Sequence, residues 1–277
     1  MRRLLSANFS RLWKDTVFWI TIIGLVVMSV ATAWINYQTG LRYDAESVYV
    51  EDVMFNVFPI IAFVSAVFIS LFLGTEYDDN TIRNKLIVGH TRKDIFFASC
   101  LTCIAASVLQ MIVMLLVSGI AGWFLYGRFL LPWEQLTFIF VCCTLISAVY
   151  AVISVSIGMK ISNKAISVVV TLLLMFALLM NASSIQSRLA EPEIIYDSVT
   201  ITMDGVQYGD LIKNPAYVNG TRRAVYEFLY DFLPSGQTLQ LNDMELEACT
   251  GWPLFSAGLL IVITAMGYVL FRKKDIK

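Results

Sequence analysis

Six stretches of the chain carry almost no charge and are long enough to cross a bilayer: Val17–Ile35, Val53–Leu73, Ile95–Tyr126, Leu136–Ile157, Ala165–Met180 and Pro253–Phe271. A helix needs about 20 apolar residues to span a hydrocarbon core ~30 Å thick, so each stretch predicts one transmembrane helix. The third is overlong and is expected to tilt or to continue past the membrane at one end. Pro59, early in the second, is expected to kink it. The first stretch is too long for the apolar core of a secretory leader, and no small-x-small cleavage site follows it, so it reads as a span.

The polar connections differ in length. The first outer loop, Asn36–Asp52, is short and acidic. The fifth connection, Asn181–Gly251, is long enough for a small ordered subdomain. Within it, IIYDSVTITMDGVQYGDLI alternates around Val199, Ile201 and Met203 and then offers Asp204-Gly205, which reads as a β-hairpin with that pair at the turn. Pro215–Leu233 places apolar residues at Val218, Val225, Phe228, Leu229 and Phe232, the spacing of an amphipathic helix ending at Pro234. Its aromatic content argues for order. Asn181 and Asn219 open Asn-x-Ser/Thr triplets, a short pattern with little specificity. The pattern therefore predicts an all-α polytopic membrane protein, 1–277 forming one domain. It has six transmembrane helices and a small α+β extracellular subdomain, 181–251, between the fifth and sixth.

Composition agrees. Of the 277 residues, 58% are hydrophobic and only 15% charged, against about a quarter charged in soluble domains. The distribution of charge sets an orientation. With the N-terminus inside, fourteen of the 20 Lys and Arg fall inside, and fifteen of the 21 Asp and Glu fall outside. Lys and Arg accumulate on the cytoplasmic side, so both termini are expected in the cytoplasm of a multi-pass cell-membrane protein. The lipid bilayer is the expected surrounding, and no nucleic-acid partner is expected.

The six stretches contain no Asp, Glu, Lys, Arg or His. Such residues at depth mark proton relays and ion paths, so a proton-coupled mechanism is disfavoured. Gln110 is the most polar deep side chain and reads as an interhelical hydrogen-bond donor. Cys100 and Cys103 share a helix face inside a span, where small polarisable packing residues are the simpler reading than redox or metal chemistry. With His90 the only histidine, no catalytic or metal constellation is visible. The chain lacks GxxxxGK[ST], so energy for uphill transport would have to come from another polypeptide.

That leaves GTEYDDNTIRNKLIVGHTRKDIFF, Gly74–Phe97, a charged segment between two spans. Asp79 is a candidate N-cap for a short helix from Asn80 to Val88. Ile82 and Leu86 share a face of that helix, and Gly89 is a natural stop. Thr91-Arg92-Lys93-Asp94 resembles a capping box opening the third span. The plainer alternative is a basic loop that merely satisfies the charge asymmetry.

The pattern G-x-E-Y-x-x-x-T-I-R-N-K-L-x-x-G-x-x-R is carried by Gly74, Glu76, Tyr77, Thr81, Ile82, Arg83, Asn84, Lys85, Leu86, Gly89 and Arg92. It resembles the cytoplasmic loop of type-2 ATP-binding-cassette (ABC) exporter permeases, whose span order and long last outer loop are also similar. The resemblance implies that Asn80–Val88 is a coupling helix docking on a separate ABC ATPase subunit, which would hold the ATP and Mg. The chain itself would need no cofactor and would not be an enzyme. Glu76, Thr81, Ile82, Arg83, Asn84, Lys85, Leu86 and Arg92 are the implied coupling residues. Leu86 and Ile82 would form the apolar contact, with Arg83 or Lys85 at an acidic rim. A second permease copy or paralogue would complete the unit. Ser99-Cys100-Leu101 departs from the family by lacking a lysine. Asn214–Gln237 resembles outer-loop sequence of permeases associated with antimicrobial-peptide export or self-protection. The substrate expected is a peptide, an antimicrobial or a lipid-like molecule. The outer stretch 181–251 holds ten acidic against four basic residues. That excess suggests a contact for cationic peptides formed by Tyr217, Tyr226, Phe228, Tyr230, Asp231, Asp243, Glu245 and Glu247. A receptor or immunity protein that binds a peptide without moving it is the alternative.

Overall fold

The computed structural model describes residues 1–42, 49–202, 205–246 and 249–275. Six helical segments among them are long and apolar enough to cross a membrane: Thr16–Arg42, Val50–Asp78, Arg92–Tyr126, Trp133–Lys160, Lys164–Leu189 and Cys249–Arg272. Each encloses one of the predicted apolar runs, so the protein is an all-α polytopic membrane protein.

An additional helix precedes them. α1 (Arg2–Lys14) buries Leu4, Asn8 and Leu12, one residue per turn, and packs on the third span. The Asp15 side chain then accepts from Phe18 N at 3.0 Å and caps the first span, α2 (Thr16–Arg42). Sequence reading did not foresee this helix, because its short apolar stripe has no membrane-length run.

Pro59 does more than kink the second span. α3 (Val50–Asn56) stops, Phe58 N bonds Phe55 O at 2.9 Å and Ile60 N bonds Val57 O at 3.1 Å, and α4 (Ile60–Asp78) restarts with Pro59 as its N-cap. Proline cannot donate to a continuing helix but fits a restart. Glu51, assigned from sequence to the acidic first loop, is instead buried in α3. Its Oε1 accepts from Leu130 N at 2.8 Å and Leu131 N at 2.7 Å, fastening α3 to the connection between the third and fourth spans.

A short helix, α5 (Thr81–Ile87), precedes the third span, α6 (Arg92–Tyr126), which is followed by α7 (Trp133–Lys160) and α8 (Lys164–Leu189). Thr91 caps α6 by accepting from Asp94 N at 3.1 Å, as the sequence suggested. At 35 residues, α6 measures about 52 Å, and its surplus runs past α1 and α5 at one end of the bundle.

α4 and α7 form the centre, with α2, α6, α8 and the last span around them. Lipid gives no hydrophobic drive for helix association, so close approach and hydroxyl contacts carry it. Ser65 and Ser107 share a hydrogen bond of 2.7 Å, Ser107 Oγ donates to Ser147 O at 3.3 Å, and Ser70 Oγ donates to Thr171 Oγ1 at 3.3 Å. Gln110 Nε2 donates to Thr21 Oγ1 at 2.8 Å, the interhelical role predicted for it. Such bonds contribute about 0.6 kcal/mol each.

The insert begins later than Asn181, because α8 continues to Leu189. β1 (Ile194–Tyr196) pairs β4 (Leu211–Lys213), and β2 (Val199–Thr202) pairs β3 (Gly205–Tyr208), all antiparallel and in one register from Ile194↔Lys213 to Thr202↔Gly205. This is the predicted hairpin, over nearly the expected residues; Met203 and Asp204, the latter proposed for its turn, lie outside the described residues. α9 (Gly220–Phe232) starts five residues after the expected Pro215, because Asn214 holds a turn instead. Its Oδ1 accepts from Ala216 N at 2.9 Å, and its Nδ2 donates to Glu191 Oε2 at 2.8 Å. Pro234 ends α9 and opens α10 (Pro234–Asn242), a helix that sequence reading did not foresee. α10 is buried against α3, α7 and α8, where Thr238 Oγ1 meets Tyr150 Oη at 2.9 Å and Gln237 Oε1 accepts from Ser256 Oγ at 2.8 Å. Its low apolar content hid it: most of its buried positions are Ser, Gly, Gln and Thr, and Gln237, Thr238 and Gln240 find partners the sequence does not reveal. α11 (Trp252–Arg272) packs on α7 and completes the bundle.

Candidate functional site

The segment Gly74–Phe97 is a helix–turn–helix built into the body of the bundle. α4 ends at Asp78, and Asp79 N bonds Thr75 O, so Asp79 is the C-cap of α4 and not the N-cap of α5. That cap is Asn80, in the left-handed region at φ 53° with no side-chain bond. Asparagine tolerates this conformation better than most residues. At the other end His90 N bonds Lys85 O at 3.1 Å and Gly89 N bonds Leu86 O at 3.0 Å around Gly89 at φ +97°. This is a Schellman stop, which glycine accommodates without a Cβ penalty.

Glu76 is the hub. Its side chain is wholly buried, and its Oε1 pairs with Lys85 Nζ at 2.7 Å and with Arg11 Nη1. Lys85 Nζ also donates to Asn8 Oδ1 at 3.1 Å. Arg11 donates to Phe72 O and lies 3.8 Å over the Phe72 ring. One carboxylate thus ties α1, α4 and α5 together. Losing one member of a buried ion pair typically costs about 3 kcal/mol or more, because the partner charge stays desolvated.

The two apolar residues assigned to docking do not face outward. Ile82 is buried in the core that contains Leu4, Leu12 and Phe68, and Leu86 packs half-buried against it. Lys85 is turned inward to Glu76, and Thr81 is half-buried. Arg83 and Asn84 are exposed, followed by Ile87 at 72% and Val88 at 77% exposure. The exposed apolar pair is therefore one step further along, at the Schellman turn. A sequence signal existed, since two β-branched apolar residues immediately before a helix-stopping glycine fall outside the i, i+4 stripe of Ile82 and Leu86.

Arg92 is used inside the chain. Its Nη1 donates to Phe271 O at 3.3 Å, to Arg272 O at 3.1 Å and to Lys274 O, capping the C-terminal carbonyls of α11. Lys274 folds back and donates to Met159 O at 3.0 Å, 3.7 Å above the Tyr77 ring. Burial, aided by neighbouring Lys160, pushes the Lys274 ammonium down to about 8. Tyr77 Oη donates to Met159 O at 2.6 Å. Both flanks of α5 are thereby tied to the end of the last span.

At the opposite, acidic end, the eight residues proposed for a peptide contact are only partly brought together. Tyr230, Asp231 and Glu245 line one cleft. Phe228 stacks on Phe232 and against Phe255, at the top of α11. Tyr217 sits under Arg223, and Tyr226 is half-buried on α9 away from the cleft wall. Asp243 accepts from Gln186 at the end of α8. Glu247 lies outside the described residues.

The sequence profile of ABC-2 family transporter proteins matches residues 4–180. The chain belongs to that family. The match runs from α1 through the first nearly five spans and takes in the whole Glu76 hub and α5 of this ABC-2 transporter protein. The insert and α11 lie beyond the matched residues. No curated protein matches the chain in a sequence search.

Proposed function

We propose that this ABC-2 family member is the membrane-spanning subunit of an ATP-driven exporter and that α5 is its coupling helix, docking on a separate ATPase subunit that holds ATP and Mg. The observation that carries this reading is the Glu76 hub. A surface helix meant only to fill a loop needs no buried carboxylate joining it to two other helices, whereas a helix that must transmit force from a partner does. Arg83, Asn84, Ile87 and Val88 form the exposed face of that lever and replace Ile82 and Leu86 as the docking contact. The charge asymmetry supports a cytoplasmic position for this end. Two such subunits, identical or paralogous, with two ATPases would form the working unit. The substrate class proposed is a peptide, antimicrobial or lipid-like molecule, by resemblance.

Burying an aliphatic side chain contributes roughly 1.5–3 kcal/mol. Ile87→Asp with Val88→Asp should therefore cost more than tenfold in ATPase affinity, read as loss of the ATPase when the subunit is purified from membranes. The variant should insert at normal levels, because neither side chain packs in the body. Unchanged co-purification would remove α5 as the docking element.

A further inference from the structure

At the acidic end, the close of α8, α9, α10 and residues 244–246 enclose a cleft of about 680 Å³, within the range of small-ligand sites. Its walls are of two kinds. Glu227, Asp231, Tyr230 and Glu245 make one, and Leu189, Met244 and Leu246 the other. Arg223 Nε pairs with Glu227 Oε1 at 2.9 Å and neutralises that carboxylate. Asp231 is half-buried, and its Oδ1 accepts from the uncharged Gln240 Nε2 at 3.1 Å. Burial raises its pKa, as expected for a desolvated carboxylate without a full counter-charge.

Tyr230 supplies the second, independent observation. Its side chain is buried to 6% exposure, and its hydroxyl has no hydrogen-bond partner. Burial, with the fields of Glu245, Asp243 and Asp231, raises its pKa and keeps the phenol neutral. A buried hydroxyl left unpaired among carboxylates costs free energy that a donor ligand would recover. The described residues contain no group of three or more His, Cys, Asp or Glu able to share a metal ion. The acids thus do not converge on a point that a metal ion could occupy. A ligand that fits has a positive donor head for Asp231 and Tyr230 Oη and an alkyl stem for the apolar wall.

We propose that this cleft binds an alkylammonium group of the kind a lysine side chain presents, with Asp231 and Tyr230 Oη receiving the ammonium and Leu189, Met244 and Leu246 covering its methylenes. The inference rests on the exporter reading only for which solution the cleft faces, and its test uses neither ATPase nor ATP. The full chain in lipid nanodiscs is titrated into a dye-labelled Lys-Leu-Lys-Leu peptide and into its Glu-for-Lys counterpart, read by fluorescence anisotropy. The lysine peptide should bind roughly tenfold tighter or better, and Asp231→Asn should weaken it by roughly tenfold. Tyr230→Phe should weaken it by about threefold without lowering the thermal midpoint, since the lost hydroxyl has no partner in the free protein. Asp210→Asn, on the exposed ribbon, should leave binding unchanged. Equal affinity for the two peptides overturns the proposal, and so does retained affinity in both Asp231→Asn and Tyr230→Phe. An equal loss in Asp210→Asn would reduce the effect to a diffuse field and overturn it as well. Failure of α5 to hold an ATPase would leave these affinities as they are.

Discussion

At the scale of single residues, the ion triad around Glu76 carries the most specific claim. Glu76 is fully buried while Arg11 and Lys85 keep 28% and 13% of their side chains exposed, so the carboxylate depends on both cations more than either depends on it. A double-mutant cycle of Glu76→Gln and Lys85→Met should be strongly non-additive, the pair costing less than the two singles together by about 1–3 kcal/mol. The readout is thermal unfolding of the purified protein, and additive losses would show that the two groups do not depend on each other. Sequence reading singled out Glu76 and Lys85 as coupling residues but did not foresee that they pair with each other and that Glu76 also pairs with Arg11. Arg11 and Asn8, which hold them, sit more than sixty residues earlier, and no local pattern links such positions.

At the scale of elements, the short α5 is bounded by two left-handed residues, Asn80 and Gly89, that fix the angles at which it leaves α4 and enters α6. A Cβ at Gly89 would meet nothing, so its whole penalty is conformational, about 1–2 kcal/mol for an L-residue held there. Gly127, at φ +73° after α6, has the same open surroundings at the other end of the same helix. Gly89→Ala should therefore reduce ATP-driven transport or ATPase retention, whereas Gly127→Ala, with a similar stability cost, should not. Equal effects on transport would mean that α5's geometry has no special part in coupling. The spans and the Thr91 cap of α6 were legible because apolar length and a side chain three residues from its partner act locally. α10 was not legible, because its burial depends on Tyr150, Ser256 and the carbonyls of α9 arriving from elsewhere.

At the scale of the whole molecule, the distribution of Lys and Arg makes an orientation testable. With Cys249 first replaced, cysteines at Lys164 and Lys273 should resist a membrane-impermeant thiol reagent in intact cells, and cysteines at Asp210 and Lys213 should react. All four side chains are exposed, so reactivity reports sidedness and not burial. Lys274 would be a misleading probe, since it is buried against Tyr77 and Met159. Labelling at Lys273 would reverse the topology and move α5 away from any cytoplasmic ATPase. By itself the sequence determined the number of spans, their order, the hairpin and the position of the loop helix, because hydrophobic length, period and capping are properties of neighbouring residues. Only the tertiary structure decided which face of α5 is free, that Arg92 closes α11, that α1 and α10 are packed helices, and that some of the outer acids share a cleft with Tyr230. Those outcomes depend on which distant groups desolvate and pair one another, and that is fixed when the helices pack.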